Sequence, residues 1–179
     1  STQAQPDRDS LMRVWNDVTL TDTSRLNAID LIGLGLMDPS PDSAIHYAVI
    51  QNEFAGERGL KEYSARALYI LGKAYESKGE LSDAINYYQR AYKLHEEAGN
   101  RKNSARALYA IGQVKWTAGD YEMAKEYHHR SMAIANEIGD KEQISSCLNG
   151  IAYCFFQQGQ FVKAAEYVQQ SLKISEELE

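Results

Sequence analysis

Residues 67–94 read "ALYILGKAYESKGELSDAINYYQRAYKL", and much of this pattern returns 40 positions later, where residues 107–134 read "ALYAIGQVKWTAGDYEMAKEYHHRSMAI". The string "SARALY" stands at residues 64–69 and again, unchanged, at residues 104–109. Residues 147–174 keep the glycine of the central turn and the alanine and tyrosine that follow it. Chance does not preserve so many positions at one spacing, so the sequence predicts an array of repeat units.

Five sets of residues share the 40-residue spacing and define these units. The sets are Gly59, Gly99 and Gly139; Gly79, Gly119 and Gly159; Ala44, Ala84, Ala124 and Ala164; Tyr47, Tyr87, Tyr127 and Tyr167; and Leu94, Ile134 and Ile174. The alignment predicts one domain over residues 20–179, with units at about 20–59, 60–99, 100–139 and 140–179. Residues 1–19 precede it as an N-terminal segment.

Each unit has the pattern of two helices joined by a glycine turn. In the second unit, the apolar stripes at helical spacing are Leu68, Leu71, Gly72 and Tyr75, followed by Ala84, Tyr88, Ala91 and Leu94. Gly79 is expected to end the first helix, because glycine adopts the left-handed conformation without a Cβ clash. Ser82 is expected to cap the second helix. Asn100 and Asp140 are predicted to begin the later units, and Asp140 with Gln143 resembles a capping box.

The first unit is the least regular. Residues 38–42, "DPSPD", take the place of the glycine turn, and the 40-residue alignment puts Leu31 and Ile32 where Leu71 and Gly72 stand in the second unit. Before this unit, residues 11, 15 and 18 are apolar at helical spacing. These three residues, Leu11, Trp15 and Val18, predict a short amphipathic helix that covers the first repeat.

The stretch at residues 67–94 resembles a tetratricopeptide repeat, a family to which residues 20–179 are similar in pattern. The positions that carry the resemblance are Leu71, Gly72, Tyr75, Gly79, Ala84, Tyr88 and Ala91. The resemblance implies an all-α fold, a right-handed α-α superhelix of about four helix-turn-helix repeats with an N-terminal capping helix. The family's usual unit has about 34 residues. The longer unit found here resembles those of bacterial sensory and regulatory proteins.

Composition agrees with a helical domain and narrows the classes of partner. The chain has 179 residues, of which 44% are hydrophobic and 25% charged, and its net charge is −6. An acidic chain without a basic run is a poor match for nucleic acid, whose phosphates need clustered Lys and Arg. No apolar stretch reaches the roughly 18 residues of a membrane-spanning helix. We therefore expect no nucleic-acid partner and no membrane insertion by this segment.

The sequence offers no catalytic motif, and we expect neither enzyme activity within these residues nor a metal or other cofactor. His128 and His129 are adjacent, so on a helix they point in different directions and cannot share a metal ion as an i, i+4 pair could. His128 occupies the register of Tyr88 and is interpreted as a packing residue. Cys147 and Cys154 are two helical turns apart, too far for a mutual disulfide, and are interpreted as core residues.

In tetratricopeptide arrays the first helices of the units line a concave groove, and this resemblance implies a peptide-binding site here. The residues at the family's groove positions are Arg66, Tyr69, Lys73, Arg106, Tyr109, Gln113, Trp116, Asn149, Tyr153 and Phe156, with Glu76 beside Lys73 and with Leu26, Ile29 and Gly33 in the first unit. Arg and aromatic side chains dominate binding hot spots. In the alternative interpretation, Arg66 and Arg106 pair with acids on neighbouring helices, while Tyr69 and Tyr109 pack between the first helices.

Three hypotheses for function follow. The first is a protein-protein interaction module that binds a peptide or partner segment of acidic and apolar character in the groove. The second is the sensory region of a larger bacterial signalling enzyme, a histidine kinase or nucleotide cyclase, for which a periplasmic location is favoured over a cytoplasmic one. It is motivated by the resemblance, by the start at a serine, and by the lack of a polar cap after the last helix. The third is a homo-oligomer formed through the terminal helices.

Overall fold

A computed structural model describes residues 7–36 and 39–177, and this part of the chain contains nine α-helices and no strand. The helices are α1 (Arg8–Asn16), α2 (Asp22–Leu36), α3 (Pro41–Glu57), α4 (Lys61–Ser77), α5 (Leu81–Glu97), α6 (Arg101–Thr117), α7 (Tyr121–Ile138), α8 (Lys141–Gln157) and α9 (Phe161–Glu176). The prediction of an all-α repeat fold is confirmed.

The helices α2 to α9 form successive pairs that stack in two layers. The first helices of the pairs are α2, α4, α6 and α8, and the second helices are α3, α5, α7 and α9. Each second helix packs on its own partner and, except for α9, on the first helix of the next pair. First helices also contact each other directly, α2 with α4 and α6 with α8. The result is a helical repeat superhelix, and we call the side formed by the first helices the inner face.

Glycine turns separate the helices at the predicted places. Six glycines have φ between 65° and 79°, namely Gly59, Gly79, Gly99, Gly119, Gly139 and Gly159. A residue with a Cβ is strained in this left-handed conformation, which explains why glycine recurs there at 20-residue intervals. The expectation that these glycines end the helices is confirmed.

Capping agrees with the sequence in part. The side chains of Asn100 and Asp140 accept hydrogen bonds from the backbone N–H groups three residues on, as N-caps do. The side chain of Gln143 donates to Ser131 Oγ at 3.3 Å, so the capping box with Asp140 is only half formed. Ser82 is not a cap: it lies inside α5, whose N-cap position is Glu80. The helix therefore starts two residues earlier than expected, directly after the glycine turn.

Glycines in the first helices let aromatic rings of the second helices approach the backbone. A Cβ added to Gly72 would lie 2.6 Å from Cδ1 of Tyr88, and one added to Gly112 would lie 2.7 Å from the ring of His128. Gly150, in the next unit, would place a Cβ 2.7 Å from His128 Nε2. His128 is fully buried, which agrees with its interpretation as a packing residue. The close spacing of the two layers therefore depends on these glycines.

The first unit follows a 39-residue offset in α2, not the 40-residue offset of the other units. Its buried residues Leu26, Ala28, Ile29, Ile32 and Gly33 match the buried residues Ala65, Ala67, Leu68, Leu71 and Gly72 of α4. Ile32 and Gly33 therefore take the place of Leu71 and Gly72, and the alignment of Leu31 and Ile32 with that pair is wrong. The reason is one residue fewer between Gly33 and Ala44 than between Gly72 and Ala84.

Helix α1 lies against the first unit through Trp15. The Trp15 ring meets Phe54 edge-on, with ring centroids 5.0 Å apart, and Arg25 Nε donates to the Trp15 carbonyl oxygen at 2.9 Å. Val18 does not continue the apolar stripe of α1, because it follows the end of the helix and is 78% exposed.

An ion pair joins the two ends of each unit, and its partners are 36 positions apart in the sequence. The four pairs are Asp22–Arg58, Lys61–Glu97, Arg101–Glu137 and Lys141–Glu177. Each links the start of a first helix to the residues at or just after the end of the second helix, and we call these pairs the clasps. All four are partly exposed, and surface pairs of this kind contribute little each to the free energy of unfolding.

His128 is buried without a hydrogen-bond partner for either ring nitrogen among the described residues. Burial and, to a smaller extent, the neighbouring His129 together lower the pKa of His128 to about 4. An imidazole held neutral in the folded state is protonated more readily in the unfolded chain, whose histidines titrate near pH 6.5. The unfolded state therefore binds more protons between about pH 6.5 and 4, and acid favours unfolding in that range.

We predict that Gly72→Ala lowers the free energy of unfolding by about 1–3 kcal/mol, because the new methyl group overlaps the Tyr88 ring. The control is Gly56→Ala in α3, where a Cβ would have nothing within 4 Å. There the substitution should stabilise the helix by up to about 1 kcal/mol. Urea unfolding followed by far-UV circular dichroism measures both. Equal effects at the two glycines would contradict the packing described.

We also predict that His128→Phe removes a large part of the loss of stability in acid. The difference in unfolding free energy between variant and wild type should grow as pH falls from about 6.5 to 4, reaching about 3 kcal/mol in favour of the variant. Taking the difference cancels the contribution of the other histidines to the pH dependence. His95 is one of these, since burial lowers its pKa too. The measurement is urea unfolding at a series of pH values, and a difference independent of pH would refute the account.

Candidate functional site

A cavity of about 510 Å³ opens on the inner face where α2, α4 and α6 meet. It is lined by side chains of these three helices, with single contributions from α5 and α8: Asp30, Leu34, Glu62, Arg66, Tyr69, Ile70, His95, Asn103, Arg106, Tyr109 and Gln143. Four of the ten predicted groove residues, Arg66, Tyr69, Arg106 and Tyr109, line it together. The repeated Arg and Tyr of "SARALY" therefore face one cavity.

Arg66 forms an ion pair with the buried carboxylate of Asp30. Gln51 Nε2 donates to the other oxygen of this carboxylate at 2.9 Å, and Arg66 Nη1 lies 3.4 Å from Asn27 Oδ1. Burial raises the pKa of Asp30, while hydrogen bonds from Gln51 and the charge of Arg66 act against this rise. The guanidinium of Arg66 is thus engaged by the protein, as the alternative interpretation of the sequence expected for this residue.

Glu62 is held by three neutral donors at the edge of the cavity. Asn100 Nδ2 donates to it at 2.8 Å and Asn103 Nδ2 at 3.3 Å, and His95 Nδ1 lies 3.1 Å from its second oxygen. Burial lowers the pKa of His95 despite the nearby carboxylate, so the contact with Glu62 is a hydrogen bond donated by a neutral imidazole. These donors satisfy Glu62 without neutralising its charge.

Arg106 differs from Arg66 although both stand in the same hexapeptide. Its side chain is exposed, and it takes part in no ion pair within residues 7–36 and 39–177. The residue of α4 in the register of Asp30 explains the difference: by the 39-residue offset of α2 it is Tyr69, which offers no carboxylate to Arg106. The alternative interpretation is therefore wrong for Arg106.

Tyr69 and Tyr109 form walls of the cavity and also pack inward. Tyr69 lies 5.2 Å from the Tyr88 ring, centroid to centroid, and Tyr109 lies 5.0 Å from the ring of His128. Burial raises the pKa of both hydroxyls, that of Tyr109 to about 12, so both stay protonated at neutral pH. These tyrosines combine a packing role with a face toward the cavity, and each interpretation of the sequence holds in part.

The other six predicted groove residues lie outside the cavity. Lys73 Nζ lies 3.4 Å from Glu76 Oε2, which also accepts from the Tyr88 hydroxyl at 2.7 Å. Gln113 donates to the Tyr109 hydroxyl at 3.1 Å. Trp116 buries its indole nitrogen without an acceptor among the described residues, and Asn149 is partly buried on α8. Tyr153 and Phe156 are exposed farther along, and Phe156 meets Phe161 edge-on.

The groove residues predicted for the first unit need correction. Leu26 and Ile29 are fully buried in the core, and Gly33 packs against Ile70. The 39-residue offset of α2 puts Asn27, Asp30 and Leu34 in the registers of Arg66, Tyr69 and Lys73. Two of these line the cavity, and the third contacts Arg66. A search of α2 for the best offset of buried positions would have found Asp30.

Among the described residues, no group of three or more His, Cys, Asp and Glu side chains has an arrangement that could hold a metal ion. Cys147 and Cys154 are buried and unbonded, and burial raises the pKa of both thiols, that of Cys154 to about 11. Over the same part of the chain, no helix is long and apolar enough to cross a membrane.

Comparison with known families identifies the repeats. Two sequence profiles described as "Tetratricopeptide repeat" match the chain, one at residues 103–177 and one at residues 65–98. The chain carries a tetratricopeptide repeat domain. Such repeats are generally non-catalytic interaction modules, which makes this chain a protein-interaction scaffold in the broad sense. No curated protein matches the chain in sequence.

Solved structures share the fold of this tetratricopeptide repeat domain. BtubC (BKLC) from P. vanneervenii superposes with a TM-score of 0.78 at 19% identity, over 96% of this chain and 71% of that one. The nearly identical TPR-like repeats of a Podosopora anserina kinesin light chain give 0.71 at 14% identity, over 96% and 87%. A Rap protein complexed with Competence and Sporulation Factor gives 0.82 at 16% identity, over 95% of this chain and 48% of that one. At these identities the likeness concerns the fold.

We predict that Arg66→Gln lowers the free energy of unfolding by about 2 kcal/mol, because it leaves the buried Asp30 carboxylate without its cation. The loss is smaller than for a fully buried pair, since Arg66 is partly exposed. Arg106→Gln, at the equivalent position, should change stability by less than about 0.5 kcal/mol. Urea unfolding of both variants checks this. Similar losses at the two sites would show that Arg106 has a partner in the fold.

Proposed function

We propose that this tetratricopeptide repeat domain is a non-enzymatic interaction module whose inner face binds an extended segment of a partner protein. One observation carries the proposal. Two consecutive units present the same residues, Arg66 with Tyr69 and Arg106 with Tyr109, to a single cavity. Arg and Tyr are enriched among the side chains that dominate binding free energy at protein interfaces.

The size and lining of the cavity suit part of a peptide. A volume of about 510 Å³ lies within the range of sites that enclose a small ligand, and it would hold a few side chains of a longer segment. Leu34, Ile70 and the two tyrosine rings supply apolar surface, while Asn103 and Gln143 supply amide groups at its edge. A segment lying along the inner face would cross α2, α4, α6 and α8 in turn.

The solved structures support the broad class of partner. A Rap protein of this fold has been crystallised with Competence and Sporulation Factor, so a repeat domain of this architecture can hold such a partner. The exposed aromatic residues Tyr153 and Phe156, 63% and 56% exposed, lie on α8 and would extend the contact beyond the cavity. The sensory-region, compartment and oligomer hypotheses stay predictions.

Selection of random peptides displayed on phage against the wild-type domain tests the proposal. Selected peptides should bind Tyr109→Ala at least tenfold more weakly, a loss of about 1.4 kcal/mol or more that is typical of a contributing contact. The matched control is Tyr87→Ala in α5, a partly buried tyrosine of the second helices that stacks on Tyr75. That variant should keep the wild-type affinity. Fluorescence anisotropy with synthetic peptides measures both.

Failure would take one of two forms. Selection without any enriched peptide would refute peptide binding, and peptides that lose equal affinity on both variants would refute the inner face as the site. Far-UV circular dichroism of each variant shows whether it is folded. If Tyr109→Ala unfolds, Tyr109→Leu keeps an apolar side chain against His128 and serves in its place.

A further inference from the structure

The basic side chains at the predicted groove positions differ in whether they form an ion pair within the chain. Three cations occupy predicted groove positions, and two of them have acidic partners within the chain: Arg66 pairs with Asp30, and Lys73 pairs with Glu76. Arg106 lines the cavity, is exposed, and has no such partner among the described residues. It is therefore the one arginine of the cavity whose planar donors are open to a ligand.

The carboxylates of the cavity are already satisfied. One oxygen of Asp30 accepts a hydrogen bond from Gln51, and the other pairs with Arg66. Glu62 accepts hydrogen bonds from Asn100, Asn103 and His95. Both carboxylates already accept hydrogen bonds from other residues, so neither is available to pair with Arg106. A carboxylate that pairs with Arg106 would therefore belong to the ligand. An arginine presents a rigid fork of N–H donors that matches a carboxylate in two parallel hydrogen bonds.

The tyrosines beside Arg106 offer apolar ring surface to a ligand, but they carry no negative charge that could neutralise the arginine. Tyr69, Tyr109 and Arg106 line the same cavity, and burial raises the pKa of both tyrosine hydroxyls. Both hydroxyls are protonated at neutral pH, and the rings offer apolar area that costs little side-chain entropy to order. The environment of Arg106 thus favours an anionic group that adjoins an apolar or aromatic one.

We propose that the cavity selects a peptide segment bearing a single carboxylate, which pairs with Arg106 while a neighbouring apolar side chain lies against Tyr69 and Tyr109. This inference rests on the proposed function and names the chemistry of its ligand. A second carboxylate next to the first is disfavoured, because the cavity also contains Glu62, whose negative charge is held by neutral donors and is not compensated by a cation. The carboxylate is that of an Asp or Glu side chain or of a peptide C-terminus.

The experiment uses the peptides selected above, each synthesised in matched forms. In one arm the acidic side chain is replaced by its amide, Asp by Asn or Glu by Gln; in another, a free C-terminus is amidated. A third form carries an additional acidic residue beside the first. Affinities are measured by fluorescence anisotropy for the wild type, for Arg106→Gln, and for Arg90→Gln, an exposed arginine over the ring of Tyr87 in α5.

On the wild type and on Arg90→Gln, we expect removal of one carboxylate to weaken binding about tenfold or more, as for a charge-assisted hydrogen bond. The arm that shows the loss identifies the source of the carboxylate. On Arg106→Gln, the acidic and amide forms should bind equally. The form with two adjacent carboxylates should bind the wild type no more tightly than the form with one.

Three results would contradict the inference. The first is equal affinity of acidic and amide forms for the wild type, and the second is a discrimination that survives in Arg106→Gln. A peptide with two adjacent carboxylates that binds tenfold more tightly would refute the selection for a single one. Each of these results leaves peptide binding on the inner face intact, whereas failure of the Tyr109→Ala comparison refutes the proposed function itself.

Discussion

The spacing between the two helix layers is set by the contact between an aromatic ring and a glycine backbone. Tyr88 lies over Gly72, and His128 lies between Gly112 and Gly150, at separations that any Cβ would prevent. The same contact fixes the rotation of the first helices. Because the apolar and glycine positions of α4 and α6 face the second helices, the residues about one-third of a turn away are turned toward the inner face. Arg66, Tyr69, Arg106 and Tyr109 therefore reach the inner face as a consequence of packing in the layer behind them.

Much of the fold could be predicted because the same sequence pattern recurs in each unit, so that each unit supports the interpretation of the others. Every helix except α1 has a counterpart at a fixed offset, and the glycines with positive φ mark the turns in the last three units. The candidate site was only partly predictable, because the first unit breaks the repetition. Its proline turn conceals a one-residue shift, which moved Leu26 and Ile29 onto the wrong face and hid Asp30. Contacts between units, such as Glu62 with His95, depend on neighbours that periodicity alone does not identify.

The pair of "SARALY" strings shows how identical sequence acquires different roles. Arg66 faces α2, where Asp30 is available, and becomes part of the fold. Arg106 faces α4, which offers no free carboxylate, and remains open to solvent. The asymmetry arises in the first unit, where a buried acid takes the register that holds tyrosine in the next two units. The irregular first unit therefore makes Arg66 and Arg106 different, although the repeats that contain them are alike.

The clasps have a mechanical consequence. Each one spans the open end of a single helix pair and crosses to no other pair. Neighbouring pairs are joined by buried apolar contacts and also by ion pairs such as Arg66–Asp30 and Lys102–Asp140. Dissolved ions screen the exposed clasps more strongly than they affect the buried contacts. Because each clasp contributes little to stability, higher ionic strength should loosen only the ends of each helix pair, while the packing and order of the helices stay the same.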